Sequence, residues 1–319
     1  MSAPAKSRGI IIAVIVAALV LVVGGVLLLR EMLRPKPALR MVYRMTPLAG
    51  VKLDERSKQA CLARVKARLE QLGVDGAVVT RRGDELDVDV PALEAATMRD
   101  VKRVLARGGR LELTFINDAG DPLRALAREL GRGGLVEPRP RSYSGRDGRT
   151  VRYTALVGRD RAALQRLAHE HARHVAGRLL VGASFEVQRR GAPLYELFLL
   201  ERETGLTSND VTSARAIIDD HTGRAQVAMR LGEVGARRFG EMTARNVGRR
   251  LAIVVDGHVM SAPVVQSAIR GGRAVIDLGG AARSAVALLH EAKTLAAVLR
   301  AGAMPARLQP LSESQLQPK

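Results

Sequence analysis

The stretch Gly223–Gly272, GRAQVAMRLGEVGARRFGEMTARNVGRRLAIVVDGHVMSAPVVQSAIRGG, carries the densest run of structural signals in the chain. Thr222-Gly223 turns the backbone into a strand over Arg224–Leu231, where Ala225, Val227, Met229 and Leu231 alternate with polar neighbours. A helix follows from about Glu233 to Asn246, presenting Ala236, Phe239 and Met242 or Thr243 on one side, and Gly248 ends it. Leu251–Val255 reads as a buried strand and Asp256-Gly257 as a hairpin turn. Val259-Met260 begins the return strand, Pro263 interrupts it, and Val264–Ile269 resumes it. Gly271-Gly272 then turns into a strand over Ala274–Leu278.

Working outward, a long helix is expected over about Ala282–Leu299, followed by Ala301-Gly302-Ala303-Met304-Pro305 and a strand over Ala306–Gln309. Upstream, Thr207 or Ser208 is placed to cap a helix running to Asp219 or Asp220. Before that stand a strand over Thr150–Val157, a helix over about Arg161–Leu179, and strands over Ser184–Arg189 and Leu194–Leu200. Nearer the start, a brief strand over Met41–Met45 precedes a helix with Leu62, Val65, Leu69 and Leu72 on one face, stopped by Gly73. Ala77–Thr80 and Glu85–Val90 form a hairpin whose Glu85, Asp87 and Asp89 are expected on a solvated face. A second helix over about Ala95–Ala106, closed by Gly108-Gly109, leads into a strand over Leu111–Ile116. Strand, helix, hairpin, helix, strand is most of a ferredoxin-like unit, with a later segment needed to complete its sheet.

The N-terminus has a different character. Gly9–Leu29 is apolar and uncharged, and its 21 residues are long enough to cross a bilayer as a helix. Arg30 and Glu31 close the run, which is longer than a signal-peptide core, so a retained anchor is expected. The flanking cations Arg30, Arg34, Lys36, Arg40 and Arg44, against Lys6 and Arg8 before the run, favour a cytoplasmic location for the remainder by the positive-inside rule.

Composition narrows the function. The net charge of +19 suits an anionic membrane surface or nucleic acid, but aromatic residues make up only 3% and the basic residues form no single stripe, which argues against nucleic acid. The single cysteine, Cys61, excludes an internal disulfide or a cysteine metal cluster. His169, His171 and His174 lack the four-residue step of a zincin helix, so neither a metal nor a cofactor is expected. Ser261 has no base at a suggestive spacing, and Gly271-Gly272 lacks the lysine and context of a phosphate loop. No catalytic residue is assigned, and the chain reads as a non-enzyme.

The Gly223–Gly272 stretch resembles the first periplasmic domain of the SecD family, the accessory subunit of the bacterial protein-export machinery. The matching positions are Gly235-Ala236, Phe239, Thr243, Asn246, Gly248, Leu251–Gly257, Ser261-Ala262-Pro263, Ile269, Gly271-Gly272 and Gly302–Pro305. Arg64–Pro91, RVKARLEQLGVDGAVVTRRGDELDVDVP, also looks like the family's first half. The resemblance implies an α+β fold: one transmembrane helix, then a ferredoxin-like base with an inserted α+β head. The implied division is a basic N-terminus 1–8, membrane helix 9–29, tether 30–40, base 41–116, head 117–280, returning base helix and strand 281–310, and polar tail 311–319. It places the large domain in the periplasm, against the flanking charges.

For function, the resemblance implies an export accessory on the cytoplasmic membrane whose head contacts emerging polypeptide. Its implied partners are SecF or separate SecD-like membrane subunits, the export channel, unfolded secreted polypeptide and the anionic membrane surface. Head framework and contact are assigned to Phe239, Thr243, Asn246, Asp256, Gly257, Ser261, Pro263, Ile269, Gly271 and Gly272, and base framework to Leu69, Leu72, Gly73, Gly302 and Pro305. Exposed strand edges are expected to take extended polypeptide by strand addition. Departures are the stretch Met45–Gly50 in place of Asp-Leu-x-Gly-Gly, Pro91-Ala92 in place of Pro-Gly, and the lack of a second apolar run. Proton coupling by this chain alone is therefore not expected. Two alternatives remain: a periplasmic scaffold that kept the fold without transport, and a cytoplasm-facing basic binding module.

Overall fold

A computed structural model describes residues 37–48, 50, 52–130, 134–183, 194–278 and 285–316. The expected membrane helix 9–29, the N-terminus 1–8 and the strand Ser184–Arg189 lie outside these residues. No helix among the described residues is long and apolar enough to cross a membrane.

The base is a four-stranded antiparallel sheet. It comprises β1 (Pro37–Pro47), β2 (Val78–Arg82), β3 (Glu85–Pro91) and β15 (Ala306–Gln315), in the order β15-β1-β3-β2. Helix α1 (Glu55–Gln71) connects β1 to β2, and α2 (Ala95–Ala106) follows β3. This is the ferredoxin-like strand order, and β15 is the expected returning strand. Strand β1 begins at Pro37, so the end of the expected tether is already paired: Leu39 faces Gln315 on one side and Val90 on the other. Asp54 caps α1, accepting from Ser57 N at 2.8 Å. Val65 and Leu69 of α1 pack with Met41, Tyr43, Leu86 and Val88 in the core of the base.

The solvated face expected for Glu85, Asp87 and Asp89 is corrected, since Asp87 and Asp89 are buried. Strand β3 runs in the middle of the sheet, so arginines from its neighbours close over its acids. Arg40 of β1 donates twice to Asp89 at 2.7 Å, and Arg82 of β2 pairs with Asp87.

The expected base strand at Leu111–Ile116 is also corrected. β4 (Leu111–Phe115) pairs with β12 (Leu251–Val255), not with the base, because β15 occupies the edge of β1 over Leu39–Pro47. In the same region the predicted helix from Thr207 or Ser208 gives way to the short β9 (Leu206–Thr207), one 3-10 turn at Ser208–Asp210 and strand β10 (Val211–Ile218). Strand β10 forms a three-stranded sheet with β11 (Ala225–Leu231) and β14 (Arg273–Asp277), in the order β10-β11-β14. The helix predicted over Arg161–Leu179 ends at Glu170, turns and bends follow over 171–177, and β7 (Arg178–Ala183) takes up its last two residues.

The rest of the inserted region is an eight-stranded sheet, β5-β6-β8-β7-β13-β12-β4-β9. Its further strands are β5 (Glu137–Ser144), β6 (Thr150–Gly158), β8 (Tyr195–Leu200) and β13 (His258–Ser261). Part of it closes on itself. Ile116 bridges Leu200, Asn117 N donates to Leu199 O at 2.8 Å, and Glu201 N donates to Phe115 O at 2.9 Å. Strands β4, β12, β13, β7 and β8 therefore ring a small interior filled by Ile116, Phe198, Leu200, Ala252, Val254 and Val259. The outward Leu197 and Leu199 of β8 pack with α3 (Leu123–Leu130) and α4 (Arg161–Glu170). Leu111, Leu113, Leu251 and Ile253 share a core with Val227 and Met229 of β11, with Phe239 of α5 (Glu233–Arg245), and with Leu288, Leu295 and Leu299 of α6 (Ala285–Ala301).

Candidate functional site

Of the head residues singled out in the sequence, Phe239, Thr243, Asn246, Pro263, Ile269 and Gly272 lie at one joint, between α5 and the loop after β13. Phe239 and Thr243 are fully buried. The Thr243 hydroxyl donates to Phe239 O at 2.7 Å and accepts from Ile269 N at 2.9 Å, so one side chain ties the helix to the loop. Asn246 caps the helix end, donating to Met242 O at 2.9 Å and accepting from Arg249 at 2.7 Å. Pro263 O accepts from Leu251 N at 2.8 Å. Gly272 has φ +59°, and a Cβ there would meet Ala236 Cβ at 2.6 Å. Gly271 has open space around it, and Ser261 is buried.

Asp256 and Gly257 have φ +50° and +76°, the pair of positive values that a two-residue hairpin turn requires. The Asp256 carboxylate accepts from Arg110 N at 2.9 Å, so it holds the hairpin to the start of β4. His258, next in the chain, has Nδ1 2.8 Å from Asp256 O and Nε2 3.0 Å from Gln165 Nε2. Burial, and then the nearby Arg161 charge, lower its pKa from 6.5.

Sequence reasoning missed the joint between base and inserted region. Arg68, fully buried on α1, donates to Val104 O at 2.8 Å, to Arg107 O, to Gly108 O at 2.9 Å and to Gly302 O at 3.3 Å. It thus holds both the point where the chain leaves the base and the point where it returns. Arg64 adds a bond to Ala301 O at 2.6 Å. Burial pushes the Arg68 guanidinium down to about 10, and the negative charge of Asp256 opposes that shift. Gly302 belongs here with φ +84°, because a Cβ would press on the Arg64 guanidinium at 2.8 Å. Of the other base positions, Leu69 is buried in the core and Leu72 packs against it. Gly73 takes φ +69° after α1, and Pro305 is half-buried ahead of β15. The only available signal for Arg68 was a cation one turn after Arg64, on the boundary of the apolar stripe.

A second buried network lies beside the ring of strands. Arg250 donates to Asp118 at 2.7 and 2.8 Å, and its guanidinium stands 4.0 Å from the centre of the Tyr153 ring. Glu196 is 3.3 Å from Arg141 and 4.0 Å from Arg250. Every charge in this group is matched, so it reads as a structural network and not as a reacting centre. Among the described residues no group of His, Cys, Asp and Glu is arranged to hold a metal; His171 and His174 only stack loosely, 5.8 Å apart.

What faces outward is strand edge. Among the described residues β10 and β14 pair only with β11, which leaves an edge free on each. Ile218 of β10 is 54% exposed and Val275 of β14 is 44% exposed. Both are apolar side chains on strands whose other edge has no strand partner among the described residues.

Residues 183–306 match the family described as SecDF, P1 head subdomain. The protein translocase subunit SecDF of Thermus thermophilus is 43% identical over 104 residues, 33% of this chain and 13% of that protein. SecD of Magnetococcus marinus is 28% identical over 255 residues, 80% of this chain and 38% of that one. The chain thus spans well under half the length of these curated relatives. Among solved structures, a crystal structure of SecDF in a super-membrane-facing form superposes with TM-score 0.56 at 23% identity, covering 87% of this chain and 30% of that one. A structure described as a membrane component SecDF that enhances protein export gives TM-score 0.53 at 23% identity, over 86% of this chain and 98% of that one. At that identity the likeness concerns the fold, a ferredoxin-like base carrying an inserted head.

Proposed function

We propose that this protein, whose residues 183–306 match the SecDF P1 head subdomain family, is a non-catalytic accessory factor in protein export across the cytoplasmic membrane. In this reading the anchor 9–29 holds it to the membrane and the base and head stand in the periplasm. The head then meets polypeptide leaving the channel, alongside SecF or other SecD-like subunits. The observation that carries the reading is the position of the free edges of β10 and β14 within the matched head. Backbone pairing at such an edge accepts many sequences, as a factor handling varied secreted chains requires. The chain would contribute binding to the exported polypeptide.

The test is photo-crosslinking in intact cells with a secreted protein arrested in transit. Ser261 is too buried to carry the probe, so the photo-reactive residue belongs at Val275. A crosslink to the arrested chain is expected. Crosslinks confined to envelope proteins, with expression verified, would end the export reading. That outcome would favour a scaffold role, which draws support from the inward placement of Phe239 and Thr243. Labelling from the outer face of the membrane separates both from a cytoplasm-facing binding module.

A further inference from the structure

Along the junction of base and head, basic side chains from three elements converge on a furrow. Arg99, Arg103 and Arg107 line a hollow of about 660 Å³ between α2 and the start of α6. A second hollow, of about 400 Å³, shares His290 with the first and reaches Arg215 of β10 and Lys293 and Arg300 of α6. Among the described residues only two carboxylates line the pair, and both have cationic partners. Asp100 bonds to Arg103 at 3.0 Å and to His290, and Glu291 bonds to Arg107 at 3.2 Å. Arg99, Arg215, Lys293 and Arg300 are exposed and have no carboxylate partner among the described residues. The floor is apolar near Ala96 and Ala287, and Val286 stands 78% exposed at the rim.

We propose that this furrow docks an extended, acidic polypeptide segment. Arg99 on one wall and Arg215, Lys293 and Arg300 on the other are uncompensated and repel one another, and an anion between them relieves that repulsion. The spacing selects the kind of anion. Residues four apart on a helix step by about 6 Å along its axis, whereas same-face residues of an extended chain step by about 6.6–6.8 Å. Arg99, together with Arg103 and Arg107 exchanging their bonds to Asp100 and Glu291 for the acids of the segment, therefore matches a strand with an acid at every second position, and its intervening apolar side chains meet Val286 and Ala287. A lipid headgroup presents its charge at one point on a broad surface and uses neither the register nor the apolar floor. The inference specifies chemistry only and does not depend on the export reading.

The test is fluorescence anisotropy on the full chain in neutral detergent with a labelled peptide, Asp-Val-Glu-Ala-Asp-Val-Glu. The triple variant Arg99→Ser, Arg215→Ser, Lys293→Ser is expected to weaken binding about tenfold. A control triple with the same charge loss on the head, Arg152→Ser, Arg237→Ser, Arg245→Ser, should weaken it less than about twofold, because distant exposed charges are screened. A peptide of the same composition with its acids gathered at one end should bind about fivefold more weakly. Equal loss in both triples, or equal affinity for the two peptides, would overturn the proposal in favour of general charge attraction. Binding to phosphatidylglycerol vesicles with none to the peptide would overturn it in favour of a lipid surface.

Discussion

The Arg68 guanidinium is buried against carbonyls at the ends of two helices, α2 through Val104 and Arg107 and α6 through Gly302. Helix C-termini concentrate negative partial charge, so a cation is stabilised there without a carboxylate in contact. Arg68→Met keeps the volume but leaves those carbonyls unpaired in the interior. It should cost about 3–5 kcal/mol in urea unfolding. Arg68→Lys should recover only part of that, since an ammonium cannot reproduce the planar fork. His258 supplies a pH dependence. In its Nδ1–H tautomer it donates to Asp256 O and accepts from Gln165, so a second proton would face a donor. With its folded pKa below 6.5, the unfolded chain binds more protons in the window just below that value. Stability is then greatest above about pH 6.5 and falls as pH drops toward the lowered pKa. The slope should flatten in His258→Gln, measured by thermal unfolding across pH 5–7.

At the level of elements, the joint between α5 and the Val264–Ile269 loop depends on Thr243. Thr243→Val preserves shape and removes the acceptor for Ile269 N, a half-buried backbone donor. A loss of about 1–3 kcal/mol is expected, with faster amide exchange at Ile269 and its neighbours. These positions stood out in the sequence because helix, turn and glycine signals are local. Strand β10 shows the opposite case. Val211–Ile218 carries a plausible helix cap just before it, yet Val227 and Met229 of β11 lie beside it and its register runs Ala214↔Met229, Ala216↔Val227. Pairing with a distant strand outweighed the local preference.

Across the whole molecule, α6 belongs to two bodies. Leu288, Leu295 and Leu299 face the core shared with the three-stranded sheet. On the base side, Val298 approaches Gly109, where a Cβ would lie 2.6 Å away. A base built by deleting residues 110–284 would therefore expose a leucine face, although its own sheet is complete. With both chains begun at Pro37, it should bind a hydrophobic dye and self-associate on size-exclusion chromatography, whereas the chain that keeps residues 110–284 should do neither. A monomeric, dye-silent base would mean that α6 serves the head alone.

By itself the sequence determined the elements whose signals lie within one turn or one strand. Among these are the Leu69 helix stopped at Gly73, the β2–β3 hairpin, the Asp256-Gly257 turn and the returning Ala306 strand, together with the ordered motif positions of the head. Periodicity and turn chemistry act over a few residues, so they can be read from the chain alone. Only the tertiary structure decided which strand sits beside which. It placed β4 in the ring of strands, put β3 in mid-sheet so that Asp87 and Asp89 lie under arginines, and buried Arg68 at the junction. These outcomes depend on contacts between residues far apart in sequence. A basic or acidic side chain reads the same on paper whether water or a ring of carbonyls will surround it.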